Sequence, residues 1–463
     1  MEHLIALILA AGEGKRMKSK NAKVVHKICG KAMIEWVAGT LESSGIKDRV
    51  FVVGHRADQV RACFGDGENY VLQEKQLGTG HAVAQARKYL EGKKGLVVVL
   101  YGDMPLIKPE TVLNLVKSHK ENNNHVTVVT AQLADPTGYG RIIRNSSGDL
   151  LRSVEERDAN QDEKRIKEVN TGIFCFNIRE LLDSLDEMES NNSQGEYYLT
   201  DMLEIFLRKG LKAGTISVAD AGEVMGINDR IQLAEASSTL RKRILDRFMK
   251  SGVTILDPYS TYIDDDVKIG IDTVIYPGTI IENGTAIGED CLIGPNSRIS
   301  GSMVGRSVEI VNSVVMQSSI DDGTHIGPFA YLRPGSRIGM EVKIGDFVEI
   351  KNSSIGDKSK VSHLTYVGDS DIGRNVNLGC GVVTVNYDGR RKSRTVIEDD
   401  AFVGCNVNLI APVMVKSNSY IAAGSTITGD VPENALAIAR ARQEVKEDWV
   451  LRKGMGRRKN KDD

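Results

Sequence analysis

The 463-residue chain is short of aromatics, at 5%, and almost without net charge, at −2. A near-neutral balance gives no electrostatic footprint for bulk binding to nucleic acid, so that partner is set aside. Its six cysteines (Cys29, Cys63, Cys175, Cys291, Cys380 and Cys405) are scattered and never form a CxxC pair. That excludes the common zinc spacings and a disulfide framework, and fits free thiols in a reducing cytoplasm. Long hydrophobic runs are missing too. The apolar start MEHLIALILAAGEG is short, opens on an acid and breaks on glycines, which is neither a secretory leader nor a membrane span. The expectation is a cytoplasmic chain of two or three domains with no membrane partner.

What the chain has in plenty is glycine, 46 residues, and a period of six. Steps of six from Ile263 land on Ile269, Ile275, Ile281, Ile287, Ile293 and Ile299. A second register runs through Ile320, Ile326, Leu332, Ile338, Ile344 and Ile350, and a third through Ile397, Val403, Leu409, Val415, Ile421 and Ile427. Six is neither the 3.6 of a helix nor the bare 2 of a strand. It is the signature of a parallel β-helix of hexapeptides, with one aliphatic per rung facing inward. A β-sandwich would space its turns about 8–12 residues apart. The walk slips around Val304, Ile310 and Val314, mixes fives and sixes after Ile350, and breaks between Leu378 and Ile397. There the polar, basic NYDGRRKSR leaves the repeat. A loop thrown out of a regular coil suits ligand contacts or a neighbouring subunit.

The first 228 residues read differently. Leu4–Ala10 is a short buried strand, followed by the glycines of LAAGEGKRM and the cations Lys15 and Arg16. Glycines let backbone N–H groups approach a phosphate, although a turn alone also explains them. The third glycine of a dinucleotide fingerprint and the GK[ST] of a P-loop are both absent. A helix is expected over 32–41, a strand over 50–53, and a Gly-Thr-Gly turn into a helix at His81. Gly95–Leu100 is a continuous apolar run, as in a parallel strand covered on both faces. Asp103, just past its end, is placed for a Mg2+ ligand or a simple turn cap. Alternating strands and helices then indicate an α/β domain. Residues 229–250 read as a linker helix, 251–442 as the β-helix domain and 443–463 as a tail. The end of that tail, RKGMGRRKNKDD, is charged, lacks apolar spacing and is read as disordered.

The segments LILAAGEGKRM, QLGTGHA, GDMPL, GYGRI, NTGI and GIND resemble sugar-1-phosphate nucleotidyltransferases. Joined to KNSSIGDKSKVSHLTYVGDSDIG and NYDG, they resemble the bacterial bifunctional family of glucosamine-1-phosphate N-acetyltransferases/N-acetylglucosamine-1-phosphate uridyltransferases, from Leu4 to about Arg442. The resemblance implies a Rossmann-like, mostly parallel α/β domain followed by a left-handed β-helix. It implies acetyl transfer from acetyl-CoA to glucosamine 1-phosphate, then UMP transfer from UTP, in a homotrimer that feeds cell-envelope synthesis.

It also implies a set of site residues. Leu9, Ala11 and Gly12 would meet uridine; Arg16 and Lys23 the phosphates; Gln73, Gln76, Gly78 and Thr79 the base and ribose; Gly140, Glu155 and Asn170 the sugar. Asp103 and Asn228 would hold Mg2+. His363 would be the acetyltransferase base, an imidazole suited to accept an amine proton near neutrality. Arg333, Lys351 and Lys392 would bind the sugar phosphate, Tyr366 and Asn377 the sugar, Asn386 and Tyr387 the acetyl group, and Ala423 and Arg440 the CoA path. Cys380 and Cys405 stand where alanine and serine are usual, near that path. A thiol donates a weaker hydrogen bond than a hydroxyl, so acetyl-CoA affinity is the property they would alter. Two other readings stay open: a pyrophosphorylase with a purely structural β-helix, and a non-catalytic assembly subunit.

Overall fold

The structure, a computed structural model, describes residues 3–455. It divides into two compact units, Met1–Ile244 and Leu245–Asp463, so the division falls inside the helix Arg230–Lys250.

The first unit is built on one sheet. Its strands are β1 (His3–Ala10), β2 (Asp48–Val53), β3 (Asn69–Leu72), β4 (Gly95–Tyr101), β5 (Val126–Gln132), β6 (Gly140–Arg144), β7 (Leu150–Val154), β8 (Glu168–Asn177) and β9 (Ala213–Val218). The spatial order is β9-β5-β8-β4-β1-β2-β3, with β6 against β8 and β7 against β6. β1, β2, β3 and β4 run parallel, while β8 is antiparallel to both β4 and β5. The apolar runs of β1 and β4 have the cause expected of them: both faces are covered. Ile5, Leu7 and Leu9 pack into one core cluster, and Ala6, Ile8 and Ala10 into the other. From β1 the chain winds to one side through β2 and β3, then crosses to place β4 on the other side. That reversal opens a crevice beyond the carboxyl ends of β1 and β4.

Helix ends differ a little from expectation. The helix expected over 32–41 spans Met33–Ser43, and the one expected at His81 begins earlier, at Thr79.

The second unit is a prism of three parallel sheets with 11, 10 and 9 strands, most only two or three residues long. Ile263, Ile281 and Ile299 stack in register on one face, and Ile275 and Ile293 on another. All five are 2% exposed or less. The fold is a left-handed β-helix of hexapeptides. All-parallel pairing rules out the sandwich. A second regularity recurs at several corners. A Thr or Ser hydroxyl donates to a carbonyl of the next coil and accepts a backbone N–H from it. Thr273 does so with Gly288 and Cys291, and Ser359 with Gly373 and Val376. Turn backbone that would be orphaned inside the prism is thereby satisfied.

The slips resolve into coils of unequal length. Around residues 297–318 the repeat shortens to 16 residues. Val304 and Ile310 stay inside, but the inward residue on the next face is Val315, buried, not Val314, which is 38% exposed. Between Leu378 and Ile397 one coil lengthens to 25 residues. Its inward position falls to Thr384, fully buried and paired with Leu409. The tail forms one helical turn at Trp449–Arg452, whose last residue is the first of the stretch read as disordered. Of the stretch 452–463 expected to be disordered, residues 456–463 lie outside the described residues.

Candidate active sites

The crevice beyond β1 and β4 is a cavity of about 690 Å3. Leu9, Ala11, Gly12, Arg16, Lys23, Gln73, Gln76, Gly78, Thr79, Asp103 and Asn228 all line it. Two glycines shape the wall. Gly14 has φ +64, and a Cβ there would lie 2.7 Å from the Lys23 Cβ; Gly78 has φ +109, with Tyr197 carbonyl 2.5 Å from any Cβ. Gln73 is buried, its amide donating to Gly78 carbonyl at 3.1 Å, and Gln76 donates to Ala11 carbonyl at 2.8 Å.

The electrostatic centre is Lys23. Its ammonium is ion-paired with the Asp103 carboxylate and lies 3.1 Å from Asn228 Oδ1. Two oxygens from distant parts of the chain therefore converge on one positive charge. The backbone fixes that convergence: Ile227 N–H donates to Asp103 carbonyl at 3.0 Å, and Asn228 N–H to Gln232 Oε1 at 2.7 Å. A carboxylate and a neutral amide oxygen are the hard donors Mg2+ takes when phosphates and waters supply the rest.

Gly140, Glu155 and Asn170 do not line the cavity; they form a cluster beside it. Gly140 and Asn170 pair across β6 and β8, and a Cβ on Gly140 would meet Glu155 at 3.3 Å. Asn170 accepts from Gly172 N–H at 2.7 Å and donates to Ser153 Oγ at 3.1 Å. Glu155 accepts from Thr200 Oγ1 at 3.0 Å, yet burial keeps its carboxyl above the usual range. Tyr101 joins the two groups. It lines the cavity, is hydrogen-bonded to Thr79, and its hydroxyl is raised by burial and by Glu155.

In the prism, His363 Nδ1 lies 2.5 Å from Asp346 Oδ1, one coil away and in register. The bond holds the Asp346 carboxyl below its ordinary range and leaves Nε2 as the outward nitrogen. The same corner continues upward through hydrogen bonds to successive coils. Gly381 N–H donates to His363 carbonyl, Asn406 N–H to Cys380 carbonyl, Gly424 N–H to Cys405 carbonyl, and Arg440 Nη1 to Ala423 carbonyl. His363, Cys380, Cys405, Ala423 and Arg440 thus form one column.

Across the adjoining face lies a cationic group. Arg333 pairs with Glu349 at 2.9 Å, and Tyr366 stacks on Glu349 in the same ladder. Lys351 lies 3.3 Å from Asp369 Oδ2 and pushes the neighbouring Lys392 ammonium below its usual range. Burial raises Asp369, but hydrogen bonds from Asn352, Asn386 and Lys351 outweigh it and hold the carboxyl low. Asn386 is buried on Asp369 at 2.5 Å; Tyr387 is exposed and bridges to Lys392.

One prism does not bring every expected residue together. Asn377 sits on the Lys360–Phe402 ladder, not on Tyr366's. Asn386 and Tyr387 follow Val383–Val385, on the ladder that adjoins the His363 corner, and lie towards its Asp369 edge.

Comparison with known proteins accounts for both units. The MobA-like NTP transferase domain matches residues 6–171, and the bacterial transferase hexapeptide (six repeats) matches 394–429. A "Bifunctional protein GlmU" from Acetivibrio thermocellus is 61% identical over 98% of this chain and 99% of its own. One of the same description from Clostridioides difficile is 52% identical over 97% of each. The chain belongs to the GlmU family. As a GlmU protein it is a bifunctional enzyme, with a uridyltransferase activity and an acetyltransferase activity.

Within this GlmU chain three residues escaped the sequence reading. Asp346 carried a usable signal, since it precedes His363 by 17 residues, close to one coil. Asp369 carried the same signal, standing 18 residues after Lys351 and 17 before Asn386. Tyr101 had none, because its partners come from segments whose approach only the fold determines.

Proposed function

We propose that the two activities run in sequence on this chain. Glucosamine 1-phosphate is acetylated from acetyl-CoA, and the product receives UMP from UTP to give UDP-N-acetylglucosamine and diphosphate for the cell envelope. The observation that carries the uridyltransferase reading is the Lys23 ammonium between Asp103 and Asn228 at the strand ends. With substrates bound, Asp103 and Asn228 would hold Mg2+, which neutralises phosphate charge. Arg16 and Lys23 would take the phosphates, Gln73, Gln76, Gly78 and Thr79 the base and ribose, and Gly140, Glu155 and Asn170 the sugar. An in-line transfer needs alignment and charge neutralisation more than an acid or base.

For the acetyltransferase, His363 Nε2 takes the proton from the attacking amine while Asp346 holds the ring by Nδ1. Arg333, Lys351 and Lys392 bind the phosphate, and the corner column ending at Arg440 receives CoA. The expected contacts are spread over two ladders of one prism, which supports a site completed by a neighbouring copy and hence a homotrimer. The enzyme works on small molecules in the cytoplasm. Two assays test the reading: thiol release from acetyl-CoA with glucosamine 1-phosphate, and diphosphate release from UTP with N-acetylglucosamine 1-phosphate and Mg2+. Silence in either removes that half. Light scattering that gives anything but three chains removes the trimer.

A further inference from the structure

Cys380 and Cys405 hold the same place in successive coils of the prism. Leu378 pairs with Val403 in register, so each thiol stands two residues beyond a shared rung. Each follows a glycine, Gly379 or Gly404. Each precedes a left-handed residue, Gly381 at φ 74 or Asn406 at φ 53. Asn406 N–H donates to Cys380 carbonyl at 2.7 Å and so ties one turn to the other. Nothing stands between the two turns, since a Cβ on Gly379 would already lie 2.7 Å from Cys405 N. Neighbouring parallel strands lie about 4.8 Å apart, within the Cα–Cα range of roughly 4.4–6.8 Å that a disulfide spans. Both thiols are free. Cys405 is exposed and Cys380 half-buried, whereas Cys175 and Cys291 are buried. A solvent-reachable thiol with a resolving thiol beside it is the arrangement most open to reversible oxidation.

We propose that Cys380 and Cys405 are a redox pair, whose disulfide across the two coils shuts this corner to acetyl-CoA. The effect on catalysis rests on the acetyltransferase reading of the column; formation of the bond does not. A hydroperoxide supplies the oxidising equivalents. The exposed Cys405 sulfur attacks one peroxide oxygen, the O–O bond breaks, and a sulfenic acid and one water result. The Cys380 sulfur then attacks that sulfur, the S–O bond breaks, the S–S bond forms and a second water leaves. Two thiols and one peroxide thus give one disulfide and two waters, and a dithiol reductant reverses the change by exchange. The cross-link turns both sulfurs towards each other and removes both S–H donors from the CoA path. In a reducing compartment such a bond is transient, which suits a switch.

The test treats the whole reduced protein with hydrogen peroxide, removes the excess and assays both reactions. Two of the six thiols disappear, the mass falls by two hydrogens, and a digest without reductant yields a peptide joining Cys380 to Cys405. The KM for acetyl-CoA rises roughly tenfold, the scale of one or two lost hydrogen bonds. Diphosphate release from UTP keeps its rate, and dithiothreitol restores the KM. Saturating acetyl-CoA, which carries no free thiol, slows the cross-link. Cys405→Ser, compared only with itself, holds its KM through the same treatment. Six intact thiols after peroxide, or a disulfide elsewhere, overturns the proposal. So does a Cys380–Cys405 cross-link that leaves the KM for acetyl-CoA unchanged. A reduced wild-type protein that transfers no acetyl group would instead remove the reading beneath it.

Discussion

At the scale of single residues, Asp346 decides what His363 can do. A histidine half exposed at a prism corner is free to turn; the carboxylate on Nδ1 fixes both its orientation and its tautomer. Asp346→Asn is therefore expected to lower acetyl transfer roughly 10- to 100-fold. That is less than the loss of the base itself, which is worth about 10²–10⁴-fold. Uridyl transfer should keep its wild-type rate; a normal acetyl-transfer rate would show that the pair does not position the ring.

A second residue gives a pH signature. Asp201, near Glu155, is pushed up to about 6 by burial and by that neighbour's charge, from an ordinary 3.8. The folded state thus holds the proton more tightly than the unfolded state. The contribution to stability is complete in acid, below 3.8, and is lost as pH rises through 6. Asp201→Asn, neutral at every pH, should raise Tm at pH 8 by about 2–4 °C, the shift made by roughly 1 kcal/mol in a unit of this size. The gain should shrink as pH falls below 6 and vanish only below the unfolded value, by about pH 3. A gap independent of pH in a fluorescence melt would contradict it.

At the scale of elements, the prism was nearly complete in the sequence because its rule is local. One aliphatic every six residues predicts its own neighbours. Where coil length changes, the rule loses phase, and around Val314 it does not say which residue points inward; Val315 does. It also hid Thr384, because a polar residue in an inward slot looks like an interruption. Its hydroxyl accepts from Gly368 N–H at 2.7 Å. Thr384→Val keeps the shape but strands that donor, an expected cost of about 1–3 kcal/mol. Urea unfolding followed by circular dichroism of the prism measures it, and no loss would mean the aliphatic column alone sets stability. In the first unit the strand cores of β1 and β4 were legible as apolar runs. The pairing of Gly140 with Asn170, and the placing of Glu155 beside Tyr101, depend on β8 running against its neighbours, and no local pattern announces that.

At the scale of the whole molecule, the chain carries two sites of different physics. One gathers oxygens around a cation at the ends of strands; the other sets an imidazole on a corner of stacked coils. Each uses residues from its own compact unit, so each should fail alone. The most direct test assays Asp103→Ala and His363→Ala separately, each supplied with its own substrates, so that neither reaction waits on the other's product. Asp103→Ala should release thiol from acetyl-CoA at the wild-type rate and no diphosphate from UTP; His363→Ala should do the reverse. If either substitution silenced both reactions, two independent sites on one chain would be the wrong account.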